Sequence, residues 1–244
     1  MTNGPHDVFN GSLLTDAQRL SSDAFDPELG PVNGNGSANN IPKEQVTKTG
    51  TTTVGLKADD GVILATDRRA SMGHMVSSKT VQKVEQIHPT AALTIAGSVS
   101  AAQSLLSSLK AEVKLYEVRR GEEMSMQALS TLTGNFLRSG AFFIVQPVLG
   151  GVDDEGAHVY SLDPLGATME EDYTVSGSGS QFALGVLEQQ YEEDLSLDEA
   201  ATVAAHAIQS ALERDTASGN GIVIARVTED DVDITHHSNI DDVL

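Results

Sequence analysis

From Thr51 onward the apolar residues change period in blocks, and that grouping most restricts the fold. Residues 51–58 and 62–66 read as two strands around Asp59-Asp60-Gly61, a hairpin signal. A third apolar strand is expected at 91–96. Two helical patterns come next. The first carries Ala101, Leu105, Leu109, Val113 and Tyr116; the second starts near Ser125 and aligns Leu129, Leu132 and Phe136. Strands return at 142–149 and 158–162, then two more helices. Ser196 and Glu199 form a capping box, and the helix behind it offers Ala200, Val203, Ala204, Ala207, Ile208, Ala211 and Leu212 to a core. A final strand, 222–227, pairs naturally with 232–234 across an acidic turn. Strands, two helices, strands, two helices, strands is not βαβ alternation. It disfavours a doubly wound parallel sheet and predicts antiparallel sheets covered by helix layers, an α+β fold.

Residues 1–49 differ in kind. They hold four of the seven prolines (Pro5, Pro27, Pro31, Pro42), and 30–40 is Gly, Asn, Ser and Pro with hardly an apolar side chain. Such a stretch buries too little surface to offset its ordering entropy. It reads as a flexible tail or, given the threonine run that begins at Thr51, as a leader removed from a domain spanning 51–244.

The chain has no cysteine, which excludes disulfides, thiolate metal sites and cysteine nucleophiles. No run approaches the ~18 apolar residues of a membrane helix. No basic stretch precedes an apolar block at the start, so a cytoplasmic protein is expected. Net charge is −20, and residues 1–50 carry only six acids against three bases, so most of it lies on the domain. A surface this acidic repels phosphate backbones, which argues against nucleic acid as a partner. It suits concentrated salt, where screening shrinks self-repulsion.

Several short segments are candidates for chemistry, each with a plain structural reading beside it. Thr51-Thr52-Thr53 after Gly50 is ordinary for an edge strand. A threonine at a new chain terminus, however, carries a nucleophilic hydroxyl and an α-amine base in one residue. Asp67-Arg68-Arg69 closes the second strand and reads as a solvated turn, or as an aspartate placed to hold a cation. Lys83 reads as a surface lysine, or as one drawn into a site where Asp67 offsets its burial. Ile95-Ala96-Gly97 is a strand-to-helix turn whose backbone N–H can meet a developing oxyanion. Ser176-Gly177-Ser178-Gly179-Ser180 lacks the Walker lysine and the dinucleotide glycine spacing. Asp215-Thr216-Ala217-Ser218-Gly219 lies just past the capped helix and presents a carboxylate and hydroxyls. His236 and His237 are neighbours on a strand and face opposite ways. No metal motif and no cofactor are expected.

The order of these segments decides between the readings. Gly50-Thr51-Thr52-Thr53-Val54-Gly55, then Ala65-Thr66-Asp67-Arg68-Arg69, Lys83, Ile95-Ala96-Gly97, Gly177-Ser178-Gly179-Ser180 and Arg214-Asp215-Thr216-Ala217-Ser218-Gly219 closely resemble the archaeal 20S proteasome β-subunit family, from Gly50 to about Val227. The resemblance implies a four-layer αββα sandwich, the N-terminal nucleophile hydrolase fold. It implies that Thr51 is the nucleophile exposed by autocatalytic cleavage after Gly50, that Asp67 and Lys83 tune it, and that Ser178, Asp215 and Ser218 support it. The Gly97 N–H would contact the oxyanion. Ala70, Val81, Ile95 and Val99 would line the pocket for the residue before the cut, favouring apolar or aromatic side chains, with Glu85 nearby as a complication. As partners it implies other β subunits in a seven-membered ring, proteasome α subunits, indirectly a regulatory ATPase, and unfolded polypeptide substrates. The competing readings are an N-terminal nucleophile amidohydrolase acting on small amides, a structural ring subunit without activity, and an acidic binding domain with a flexible tail.

Overall fold

The structure, a computed structural model, describes residues 50–142 and 144–244. The expected leader therefore lies, but for Gly50, outside the described residues. Among them, two five-stranded antiparallel sheets pack face to face. The first has the order β10-β1-β2-β11-β12, with β1 Thr52–Ala58, β2 Gly61–Asp67, β10 Tyr173–Gly177, β11 Ile222–Val227 and β12 Val232–His237. The second runs β5-β6-β7-β8-β9, with β5 Val84–His88, β6 Ala91–Thr94, β7 Val148–Asp153, β8 Gly156–Leu162 and β9 Thr168–Glu171. A separate hairpin joins β3 Ala70–Met72 to β4 Met75–Ser78. Helices α1 Val99–Arg120 and α2 Met126–Arg138 cover the second sheet; α3 Ser180–Gln190 and α4 Leu197–Arg214 cover the first. This is the four-layer αββα sandwich.

Strand β2 is buried along its whole length because both its faces are covered. That is why it reads as an unbroken apolar run instead of an alternation. Ile63 and Ala65 face the α3–α4 layer, and Val62 and Leu64 face the other sheet. There they meet Val84, Ala92, Val148 and Val159, and Val223 and Ala225 of neighbouring β11 join the same core. Gly55 and Gly150 let the sheets close, since a Cβ at either would press into Val and Leu side chains of the inter-sheet core. Helix α4 lies close to the sheet for a similar reason: most of its buried residues are alanine. Its capping box is present, with the Ser196 hydroxyl accepting from Glu199 N–H and the Glu199 carboxylate accepting from Ser196 N–H. Ser98 and Ser125 cap α1 and α2 in the same N-terminal role.

Three expectations are corrected. The strand expected at 142–149 begins only at Val148; Phe142 lies in a turn and Val145 makes an isolated bridge to Gly97. The strand expected at 91–96 ends at Thr94. At the first hairpin, Gly61 is already in β2, and neither Asp59 nor Asp60 has positive φ. Glycine is needed at 61 because the Val227 carbonyl stands where a Cβ would be.

Candidate active site

Register alone gathers the site at one end of the first sheet. Thr52 pairs with Gly177 of β10, which sets Ser178 beside Thr51. On the other side Thr53 pairs with Thr66, so Asp67 comes next to Thr52. Asp67 pairs in turn with Ile222, bringing the 215–219 loop alongside. Lys83 enters from just before β5, and its carbonyl accepts from Ile95 N–H at 2.7 Å. Helix α4 ends at Asp215, its C-cap.

The side chains form one buried assembly. Thr51, Asp67 and Lys83 are 5 %, 0 % and 4 % exposed. The Lys83 ammonium donates to Thr51 Oγ1 at 2.7 Å and to Asp67 Oδ1 at 2.7 Å. Asp67 Oδ1 also accepts from Thr52 N–H at 3.1 Å, and Oδ2 accepts from Arg69 N–H at 3.0 Å and Gly219 N–H at 2.8 Å. Four donors on two oxygens satisfy a buried carboxylate that would otherwise be costly. Burial pushes the Lys83 pKa below its ordinary value, against the pull of Asp67 and Asp215.

A second chain of hydrogen bonds runs behind the first. Thr51 N–H donates to Ser178 Oγ at 3.2 Å, and Ser178 Oγ donates to Asp215 Oδ2 at 2.5 Å. Ser218 Oγ donates to the same oxygen at 2.6 Å. With its one hydrogen spent there, Ser218 must accept from the Thr52 hydroxyl, 2.8 Å away. Arg69 pins the loop that carries these groups, donating to Thr216 C=O at 2.8 Å and Asn220 Oδ1 at 3.0 Å. Gly50 sits where any Cβ would overlap that of Ala217, and its N–H donates to Ser71 Oγ at 3.1 Å.

The structure thus brings together Thr51, Asp67, Lys83, Ser178, Asp215 and Ser218, with Gly50 against them. Gly97 has φ +111°, and its bridge to Val145 is made by Gln146 N–H to Ala96 C=O and Ser98 N–H to Ile144 C=O. Neither bond uses the Gly97 N–H. Of the expected pocket residues, Ala70 opens β3, Val81 N–H donates to Arg68 C=O at 3.0 Å, Ile95 is buried, and Val99 is exposed at the start of α1. Glu85 accepts from Gln82 Nε2 at 3.2 Å and from Lys110 Nζ at 3.5 Å. Two residues of the site escape sequence reasoning. Thr52 reads only as strand, and Ser71, between Ala70 and Met72, carries no local signal. Among the described residues no group of three His, Asp or Glu is disposed to hold a metal, and no helix is long and apolar enough to cross a membrane.

Two antiparallel sheets between helix layers, with a hydroxyl residue at the head of the first strand, make the fold of the N-terminal nucleophile hydrolases. Comparison with known proteins narrows the class. The family model described as proteasome subunit matches residues 47–227. The chain is 69 % identical to the proteasome subunit beta of Haloquadratum walsbyi, over 91 % of this chain and 92 % of that one. It is 65 % identical to that of Haloferax volcanii, over 97 % of both chains, and 65 % identical to that of Halorubrum lacusprofundi, over 93 % of this chain and 95 % of that one. The chain belongs to the proteasome subunit family, in its β type and alongside haloarchaeal relatives.

Proposed function

We propose that this β-type proteasome subunit is a threonine endopeptidase that activates itself by removing residues 1–50. The observation that carries the reading is the Lys83 Nζ held 2.7 Å from both Thr51 Oγ1 and Asp67 Oδ1 in a buried site. In the precursor, Thr51 Oγ gives up its proton to the neutral Lys83 amine 2.7 Å away and attacks the Gly50 carbonyl carbon. The C–N bond breaks, its nitrogen takes up the proton, and Gly50 is left as an ester on Thr51 Oγ. Water hydrolyses the ester, releasing the leader with a carboxylate at Gly50 and freeing the Thr51 amine. The same hydroxyl then attacks substrate peptide bonds. The Thr51 amine and Lys83 manage the proton, and water resolves the acyl-enzyme. The Gly97 N–H, left out of its bridge, is the donor assigned to the oxyanion. Ala70, Val81, Ile95 and Val99 are assigned to the pocket for the residue before the cut.

The subunit works, on this reading, within rings of seven β subunits stacked between α rings in the cytoplasm. Unfolded polypeptides are its substrates, delivered with the help of a regulatory ATPase. The test is Thr51→Ala. Intact mass should show residues 1–50 retained and peptide hydrolysis absent. Leader loss at the same bond, or hydrolysis surviving in that variant, would overturn the proposal.

A further inference from the structure

Of the residues in strands β3 and β4, Ser71 alone is buried. Its neighbours Met72, Met75 and Val76 are exposed. The register of the hairpin shifts between Ala70 and Ser71, a bulge of the kind that re-aims a side chain beside a site. The Ser71 hydroxyl accepts the N–H of Gly50 at 3.1 Å in a buried contact. On the other side of the Gly50 carbonyl, Thr51 N–H is held by Ser178 Oγ at 3.2 Å. The bond to be cut is thus braced from both ends by two hydroxyls on unrelated elements. The third restraint is steric: Ala217 stands against the Gly50 α-carbon.

We infer that Ser71 is a positioning residue for leader removal, its hydroxyl anchoring Gly50 so that the carbonyl is presented to Thr51 Oγ. This rests on the proposed self-cleavage at Gly50–Thr51. A hydrogen bond donated to a fixed acceptor removes rotational freedom at the residue before the cut. It raises the fraction of chains poised for attack. Glycine, with no side chain to restrict it, gains most from such an anchor.

The test tracks leader release from the full-length chain by intact mass as its particles assemble. Ser71→Ala removes the acceptor, and Ser71→Cys keeps the size with a weak acceptor. Both are expected to slow release about tenfold, the scale of one well-made hydrogen bond. Ser71→Thr keeps a hydroxyl on the same atom and is expected to stay within about twofold of the unaltered chain. Release at the unaltered rate in Ser71→Ala and Ser71→Cys would overturn the assignment. So would Ser71→Thr being as slow as Ser71→Ala, since that marks packing and not the hydroxyl. Thr51→Ala run alongside separates the two ideas. If it keeps its leader, self-cleavage stands and the Ser71 variants are judged alone. If it loses the leader at the same bond, self-cleavage falls, and the role of Ser71 falls with it.

Discussion

Lys83 is held between opposing forces. Burial favours its neutral amine, while the Asp67 carboxylate 2.7 Å away favours the ammonium; burial wins, and the pKa lies below the ordinary 10.5. Arg69 adds to the lowering and Asp215 opposes it. The proposed chemistry uses the neutral form as proton acceptor, which sets the sign: leader release should rise with pH and level off before the ordinary lysine range. A release rate that is flat across the stability range, or that falls with rising pH, would count against Lys83 as the acceptor. Lys83→Arg separates charge from proton transfer, because a guanidinium keeps its proton throughout. It should still pair with Asp67 but release the leader about 10²–10⁴-fold more slowly, the usual worth of a general base. Gly50→Ala should slow release at least about tenfold by forcing a methyl against Ala217, and Ala217→Gly in the same chain should restore part of the rate. A double variant no faster than Gly50→Ala would place the obstruction elsewhere. Thr51 and Asp67 are legible in the sequence because one precedes and the other ends a readable strand, while Lys83, which precedes the unreadable β5, is placed only by the order of the segments along the chain. Ser71 and Thr52 are not legible. Their partners, Gly50 and Ser218, lie 21 and 166 residues away and are reached through a bulge and a sheet register.

Helix α2 shows an element fixed from outside itself. Its first N–H group, at Met126, donates to Asp153 Oδ2 at 2.7 Å, from the end of β7. Asp153 Oδ1 accepts from Glu155 N–H at 2.9 Å and meets His158 Nε2 at 3.1 Å, and His158 Nδ1 lies 2.9 Å from Glu170 on β9. Burial alone would raise the Asp153 pKa. The bonds from Met126 and Glu155, with His158, outweigh it and hold the carboxyl below 3.8. A carboxyl depressed in the folded state stabilises the fold above its unfolded pKa, and that stabilisation is lost as pH falls through the folded value. Asp153→Ala should therefore cost about 1–2 kcal/mol at neutral pH, the range of a lost cap, or about 2–4 °C of melting temperature per kcal/mol in a domain of this size. The gap between variant and parent should close below about pH 4. Thermal unfolding of both chains across pH checks it; a gap unchanged in acid would deny the linkage. Helices α2 and α4 are easy to read from sequence because Ser125 and Ser196 mark their starts, and α1 because its apolar residues recur at helical spacing. Strands β3, β4, β5 and β9 are not. Three of them are short and largely exposed, so no apolar alternation announces them. Strand β5 has polar Glu85 and Gln86 between buried Val84 and Ile87, and is stabilised by pairing with β6.

At the scale of the whole chain, charge is the dominant unbalanced quantity. Thirty-five acids face fifteen Lys and Arg, and the excess is concentrated. A groove of about 1080 Å³ at the turn end of the first hairpin is lined by Asp59, Asp60, Glu122, Glu123, Asp153 and Asp154 among other carboxylates, with no Lys or Arg among its described lining residues. These charges are held near one another by the fold and separate when it opens, so their repulsion weighs on the folded state. Salt acts on that repulsion directly. The screening length falls from about 10 Å at 0.1 M to about 3 Å at 1 M. The midpoint of thermal unfolding should therefore climb steeply with KCl up to about 1 M and flatten beyond, as screening saturates. General salting-out behaves differently, strengthening burial without saturating there and more strongly with sulfate than with chloride. Exchanging Asp59, Asp60 and Asp154 for Asn removes three exposed groove charges without touching the Asp153 cap. That triple variant should be more stable than the parent at about 0.1 M KCl and nearly equal to it at about 2 M, where the parent's repulsion is already screened. Equal slopes for the two chains would mean that groove repulsion is not what salt relieves. A midpoint indifferent to KCl would mean that the acidic surface carries no salt dependence in this fold.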